Sequence, residues 1–228
     1  LEEWAVHFRQ NYCSDDILEI LIDGTGMTKE KYLSSIIFPD AKTAPGPSTR
    51  SGDFSEILIS DYLQFRLGYA VPRERYQYKF NPNTSTQGTD VIAYRIIETG
   101  GNPNDELIIF EVKSQSKKKN GQNRLQDAID DSGKDMIRIG NTLNALKRIY
   151  IQQGMTDKAM QIQRFQNKPD KPYVEKYGAA AVQDSQAFSE EQIKAVDLKG
   201  TTKWLIVIKR DDLMKLVHSL YERAAKCN

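Results

Sequence analysis

Residues 107–113, Leu-Ile-Ile-Phe-Glu-Val-Lys, constrain this chain more than any other stretch. A short, nearly continuous apolar run reads as a strand buried on both faces. Strand side chains alternate, so Leu107, Ile109, Glu111 and Lys113 share one face. Ile108, Phe110 and Val112 take the other. An acid and a base thus interrupt a core strand, and neither residue type is commonly buried without a partner.

The preceding tract suggests that partner. Thr89–Ile97 is rich in β-branched residues, and the eight residues 98–105, ETGGNPND, suit a hairpin connection. Pairing Ile97 with Glu106 sets Asp90 opposite Lys113 and Glu111 opposite Ile92. Asp90, Glu111 and Lys113 then converge on one patch. Two carboxylates so placed repel unless a cation lies between them. Oxygen-only ligands select Mg²⁺ or Mn²⁺ over zinc. The lysine adds a point charge that can steady an attacking water or a developing phosphate charge. These are the parts that phosphodiester hydrolysis needs. The same spacing also fits a plain Asp90–Lys113 salt bridge with Glu111 at a solvated strand end.

Elsewhere the pattern predicts an α/β protein. Asp53 and Glu56 have capping-box spacing, and Phe54, Ile57, Leu58, Tyr62 and Phe65 continue as a helix to Gly68. Tyr76–Phe80 reads as a short aromatic strand. Leu125, Ala128, Ile129, Ser132, Met136, Ile139, Leu143 and Tyr150 trace a helical stripe that Gly133 and Gly140 kink or divide. Residues 155–200 are polar, with a helix or two. Trp204–Ile208 reads as a buried strand, and Asp211 or Asp212 caps a last helix. This order gives a mixed sheet with helices on both sides. Residues 41–52, with four of their twelve positions held by Pro45, Gly46, Pro47 and Gly52, read as a linker. Residues 1–40 are too short for their own core and read as an extension packed on the main domain, 53–228. Within them, Trp4–Tyr12 suits an edge strand and 27–38 a short helix.

Lys and Arg number 32 against 31 acids, so the formal charge of +1 excludes a global basic footprint. A nucleic-acid surface must be local. Residues 113–124 supply Lys113, Lys117, Lys118, Lys119 and Arg124 without an acid, a phosphate-tracking loop or merely a solvated one. Arg73, Arg75 and Lys79, with Tyr76 and Tyr78 to stack on bases, form a second candidate patch. No apolar run spans a bilayer and no secretory signal is evident. Cys13 and Cys227 lie far apart without CxxC spacing, which disfavours a disulfide framework or cysteine zinc site; a cytoplasmic protein is expected. GTGMTK at 24–29 lacks Walker spacing, His7 and His218 are isolated, and no GxSxG occurs. Asp15–Asp16 and Asp130–Asp131 suit solvated helix ends.

GTD at 88–90 followed by EVK at 111–113 resembles the PD-(D/E)xK nuclease signature, with Thr89 where proline is usual. More widely, GDFSEIL at 52–58, GTDVIAY at 88–94 and FEVKSQS at 110–116 resemble the HamA family, the nuclease subunit of the Hachiman anti-phage defence system. The resemblance covers about residues 50–155 and weakens towards the C-terminus. It implies a restriction-endonuclease-like (PD-(D/E)xK) fold, a mixed central sheet flanked by helices. It makes Asp90 and Glu111 metal ligands for Mg²⁺ or Mn²⁺, Lys113 the catalytic lysine, and Glu56 an auxiliary ligand unless Glu56 serves only as a cap. Gln115 shares the face of Glu111 and Lys113 and is a candidate to orient water. The Q-x-x-x-Y pattern of RecB-like relatives is absent. The implied function is metal-dependent DNA hydrolysis, with a HamB-type helicase as the partner that restrains the nuclease until damaged or invading DNA loosens the complex. The alternatives are a non-catalytic module that binds DNA or docks a helicase, and cleavage of RNA.

Overall fold

The computed structural model describes residues 2–98, 100–119, 121–132, 136–200 and 203–227. Its centre is a four-stranded mixed sheet in the order β1 (Val91–Arg95), β2 (Glu106–Gln115), β3 (Val174–Asp184) and β4 (Trp204–Arg210). β1 runs antiparallel to β2, while β2, β3 and β4 are parallel.

β2 alternates as its sequence demands. Ile108, Phe110 and Val112 enter a core with α1 (Glu2–Tyr12), α4 (Gly46–Asp61) and α9 (Leu213–Lys226). Leu107 and Ile109 enter a second core, against α6 (Met136–Gln152) and α7 (Thr156–Gln163). A third cluster packs α5 (Arg124–Asp131) on Ala179 and Ala181 of β3. Each fully buried Leu, Ile or Phe contributes about 1.5–3 kcal/mol from burial, before the entropy of ordering is charged against it.

The hairpin register differs from the expected one by two residues. Arg95, not Ile97, pairs with Glu106. The Ile97 amide instead donates to the Asp105 carboxylate at 2.8 Å, which takes Ile97 out of the ladder. An even shift keeps every side chain on its predicted face. It brings Asp90, the residue just before β1, level with Glu111 instead of Lys113.

Other elements also depart from expectation. Trp4–Tyr12 lies in the helix α1, not an edge strand, because Ala5, Phe8 and Tyr12 recur at helical spacing and are all buried. The short helix expected at 27–38 is present as α3 (Lys29–Tyr32), continued by a π turn over Leu33–Ile37. α4 starts at Gly46 with Pro47 in its first turn, so Asp53 and Glu56 lie inside the helix and form no capping box. Tyr76–Phe80 is no strand. Glu74–Tyr78 form a 3₁₀ turn in which Tyr76 is buried and Tyr78 exposed, and Phe80 beyond it is exposed as well.

β3 was hidden within polar residues 155–200. Its centre, Gly178-Ala-Ala-Ala, has little apolar signal yet is fully covered by its neighbours. Gly178 pairs with Phe110, and a Cβ there would lie 2.3 Å from the Phe110 ring. The ring has taken the space of a side chain.

α2 (Asp15–Ile22) lies between α1 and α3, and α8 (Glu190–Lys194) between β3 and β4. Asp212 precedes α9 but caps nothing with its side chain. Asp184, at the end of β3, instead accepts from the Leu213 amide at 2.9 Å. The long stripe after residue 124 divides into α5 and α6. Gly133 and the side chain of Met136 lie outside the described residues, and Gly140 continues within α6.

Candidate active site

Three elements deliver the acids. Asp90 stands at the entry to β1, Glu111 within β2, and Glu56 in the middle of α4. Asp90 Oδ2 accepts from the Val112 amide at 2.8 Å, so the β2 backbone fixes its carboxylate. Glu111 is only 3 % exposed. Its Oε1 meets Lys113 Nζ at 2.7 Å, while its buried Oε2 has no hydrogen-bond partner. Glu56 is also buried, and its Oε2 accepts from the Tyr76 hydroxyl at 2.7 Å with Arg75 Nη1 at 3.5 Å.

Burial is the first force that raises these acids. Burial, followed by the charge of Glu56, pushes the Asp90 carboxyl up to about 7, against the Val112 amide, Arg75 and Lys113. Burial and then Asp90 push Glu111 above the usual carboxylate range, with Lys113 opposing. Burial also raises Glu56, opposed chiefly by Arg75. All three carboxyls are therefore harder to ionise than exposed ones, chiefly because burial withdraws them from water.

Lys113 is held from two sides. Besides Glu111 it meets Asp131 Oδ2, at the end of α5, at 2.8 Å. Burial works against its charged form, but the hydrogen bonds to Asp131 and Glu111 outweigh it and hold the ammonium above its usual range. Asp131 is thus not at a merely solvated helix end. Sequence reasoning missed it because nothing in the spacing from Lys113 to Asp131 marks the contact.

An orphaned carboxylate oxygen beside a second, proton-hungry carboxyl fits a hard divalent cation held by Asp90 and Glu111. Among the described residues, no group of three or more His, Cys, Asp or Glu side chains converges as a ready metal cage. Glu56 is already engaged by the Tyr76 hydroxyl and by Arg75.

The polar surroundings sort the remaining candidates. Gln115 donates to the Lys117 carbonyl at 3.0 Å and accepts from Gln183 of β3 at 3.3 Å, so both ends of its buried amide are occupied. Lys117, Lys118 and Lys119 are exposed just beyond β2, with no ion pair to a described residue. Arg124 begins α5 and pairs with Asp127 at 3.1 Å. The second basic patch does not exist as a surface. Arg73 bonds Asp61 and Gln64, Lys79 is buried against Asp53 at 2.5 Å, and Arg75 turns inward. The acids of α4 have drawn these cations into the protein.

A family model described as HamA matches residues 1–224. The chain belongs to the HamA family. No curated protein matches it. The HamA match takes in α1 to α3 and α9, well beyond the three motifs that carried the sequence resemblance. It thereby covers Tyr12 and Tyr221, which brace the acid-bearing helix. Tyr12 donates to Asp53 Oδ2 at 2.7 Å and meets the Tyr221 hydroxyl at 2.5 Å. No described helix of this HamA chain is long and apolar enough to cross a membrane.

Proposed function

We propose that this HamA chain is the nuclease component of a Hachiman defence system, a PD-(D/E)xK-type enzyme that hydrolyses DNA with Mg²⁺ or Mn²⁺. The reading rests foremost on Glu111, whose carboxylate is half paired with Lys113 and half orphaned in the interior beside Asp90. A structural salt bridge needs no spare oxygen and no second carboxyl pushed up to about 7.

Asp90 and Glu111 would hold the cation, with Glu56 adding negative charge behind Asp90. The metal supplies charge neutralisation for the phosphodiester and a more acidic water. Asp90 is fixed in orientation by the Val112 amide. Lys113 offers a lasting positive charge to the scissile phosphate, and Glu111 holds it in place. The exposed Lys117, Lys118 and Lys119 would follow the phosphate backbone away from the site. A helicase partner of the HamB type and a cytoplasmic setting belong to the same reading.

Plasmid DNA incubated with the purified chain and Mn²⁺ should be nicked or cut, and EDTA should stop it. Wild-type protein that leaves DNA and RNA intact with either metal, alone and after release from its helicase, would favour a non-catalytic module that docks the helicase.

A further inference from the structure

We infer that Arg75 is a positioning residue of this site, a strut that locks the backbone bearing Asp90 to the helix bearing Glu56. The inference rests on the metal-site reading above.

A single guanidinium makes all the connections. Nη1 donates to the Thr89 carbonyl at 2.7 Å and to the Asp90 carbonyl, and lies 3.5 Å from Glu56 Oε2. Nη2 donates to the Thr86 hydroxyl and, at 3.5 Å, to the Thr86 carbonyl. The 3₁₀ turn that carries Arg75 is thereby tied to α4, to the loop before β1, and to the first residue of the acidic pair. The close contacts are to the Asp90 and Thr89 carbonyls and the Thr86 hydroxyl, not to the acid. Glu56 already has the Tyr76 hydroxyl at 2.7 Å. Arg75 therefore does more than neutralise Glu56.

The same peptide is clamped from the opposite side. The Thr89 amide donates to Thr142 Oγ1 of α6 at 3.1 Å. Gly88 has φ +103°, and a Cβ there would lie 2.5 Å from that hydroxyl. Glycine lets the chain pass close enough for the clamp. Residues 88–90 are consequently held by α6 on the amide side and by Arg75 on the carbonyl side. Asp90 then needs only the Val112 amide to fix its carboxylate.

An ammonium cannot replace this fork. Arginine presents five donors in a rigid plane, whereas lysine is a point charge on a flexible stem. Outer groups that orient a ligand typically govern metal affinity by about 10–100-fold.

The test uses Arg75→Lys and Thr142→Val in the full chain, with wild type alongside. Thermal melts establish folding, and calorimetric titration of the EDTA-treated protein reads Mn²⁺ binding without reference to cleavage. Both variants should remain folded at 25 °C and bind Mn²⁺ at least about 10-fold more weakly. Arg75→Ala should regain affinity with added methylguanidinium and not with methylammonium. Folded Arg75→Lys and Thr142→Val with wild-type Mn²⁺ affinity would overturn the strut. Should Arg75→Lys fail to fold, a Thr142→Val protein of unchanged affinity, together with no guanidinium rescue of Arg75→Ala, overturns it equally. Wild type that takes up no Mn²⁺ would bring down the metal-site reading itself, and the strut with it.

Discussion

Lys113 occupies one carboxylate oxygen of Glu111 at 2.7 Å and leaves the other buried without a partner. The two side chains leave the same face of β2, two residues apart. Glu111 thus retains an open lone-pair site in the interior, where leaving one open costs most.

Asp90→Asn and Glu111→Gln preserve shape and remove a carboxylate. Each should lower DNA cleavage by about 10³-fold or more if a metal-held nucleophile is lost. Each should also weaken the rise in melting temperature that Mn²⁺ gives the wild type. Retained cleavage in either variant would exclude that residue as a ligand.

Lys113→Ala should behave differently. It strips the Glu111 carboxylate of the Lys113 ammonium and leaves a buried acid without that cation, so the metal-free protein should melt earlier. An ammonium is no metal ligand, so Mn²⁺ should still bind and should raise the melting temperature by more than it does in wild type. Cleavage should be lost. Paired melts with Mn²⁺ and with EDTA check this, and a smaller shift than wild type would count against a cation next to Glu111.

Asp90 makes stability depend on pH. Its folded pKa of about 7 lies above the usual 3.8, so the folded state keeps a proton that the unfolded state releases. Metal-free wild type should therefore lose stability as pH rises from about 4 to about 7, with the penalty complete above that. Asp90→Asn has no proton to lose. It should match wild type most closely near pH 4 and exceed it near pH 8 in urea denaturation. Equal differences at both pH values would remove the account of Asp90 as a buried, hard-to-ionise carboxyl.

Replacing Lys117, Lys118 and Lys119 with Ala should weaken DNA binding and reduce its salt slope by up to roughly three released ions. Fluorescence anisotropy over a salt series measures it. An unchanged slope would make the run a solvated loop.

Co-expression with a helicase encoded beside this chain should yield a complex that cleaves less than the freed subunit. Separate elution of the two proteins at micromolar concentration would refute the partnership.

Much of the site could be read from β2 because periodicity in a buried strand leaves few choices. The faces of Glu111 and Lys113 followed directly, and survived a misplaced register because the error was two residues. The shift itself was invisible, since it depends on Asp105 capturing the Ile97 amide. β3 was illegible for another reason. Its alanines are selected by what presses on them, α5 and the neighbouring strands, and small side chains carry little hydrophobic pattern. Arg75 and Lys79 looked like a surface patch because charge in a sequence says nothing about burial. Only the fold brings Glu56 and Asp53 against them. Asp131 joins Lys113 from a separate helix, a contact that no local spacing encodes.

The Tyr12–Asp53–Tyr221 cluster gives this HamA chain an order of assembly. Asp53 lies one turn before Glu56 on α4, and its hydroxyl brace comes from α1, which in turn meets Tyr221 of α9. During translation α1, α4 and both motif strands leave the ribosome long before α9 does. Until Tyr221 arrives, the rings of Phe8 and Phe38 lack their edge-to-face partner and the Tyr12 hydroxyl keeps only its bond to Asp53. The packing around the acid-bearing helix is thus completed only when α9, made after all four strands, docks, so the nascent chain carries Glu56, Asp90 and Glu111 well before it carries their full surroundings.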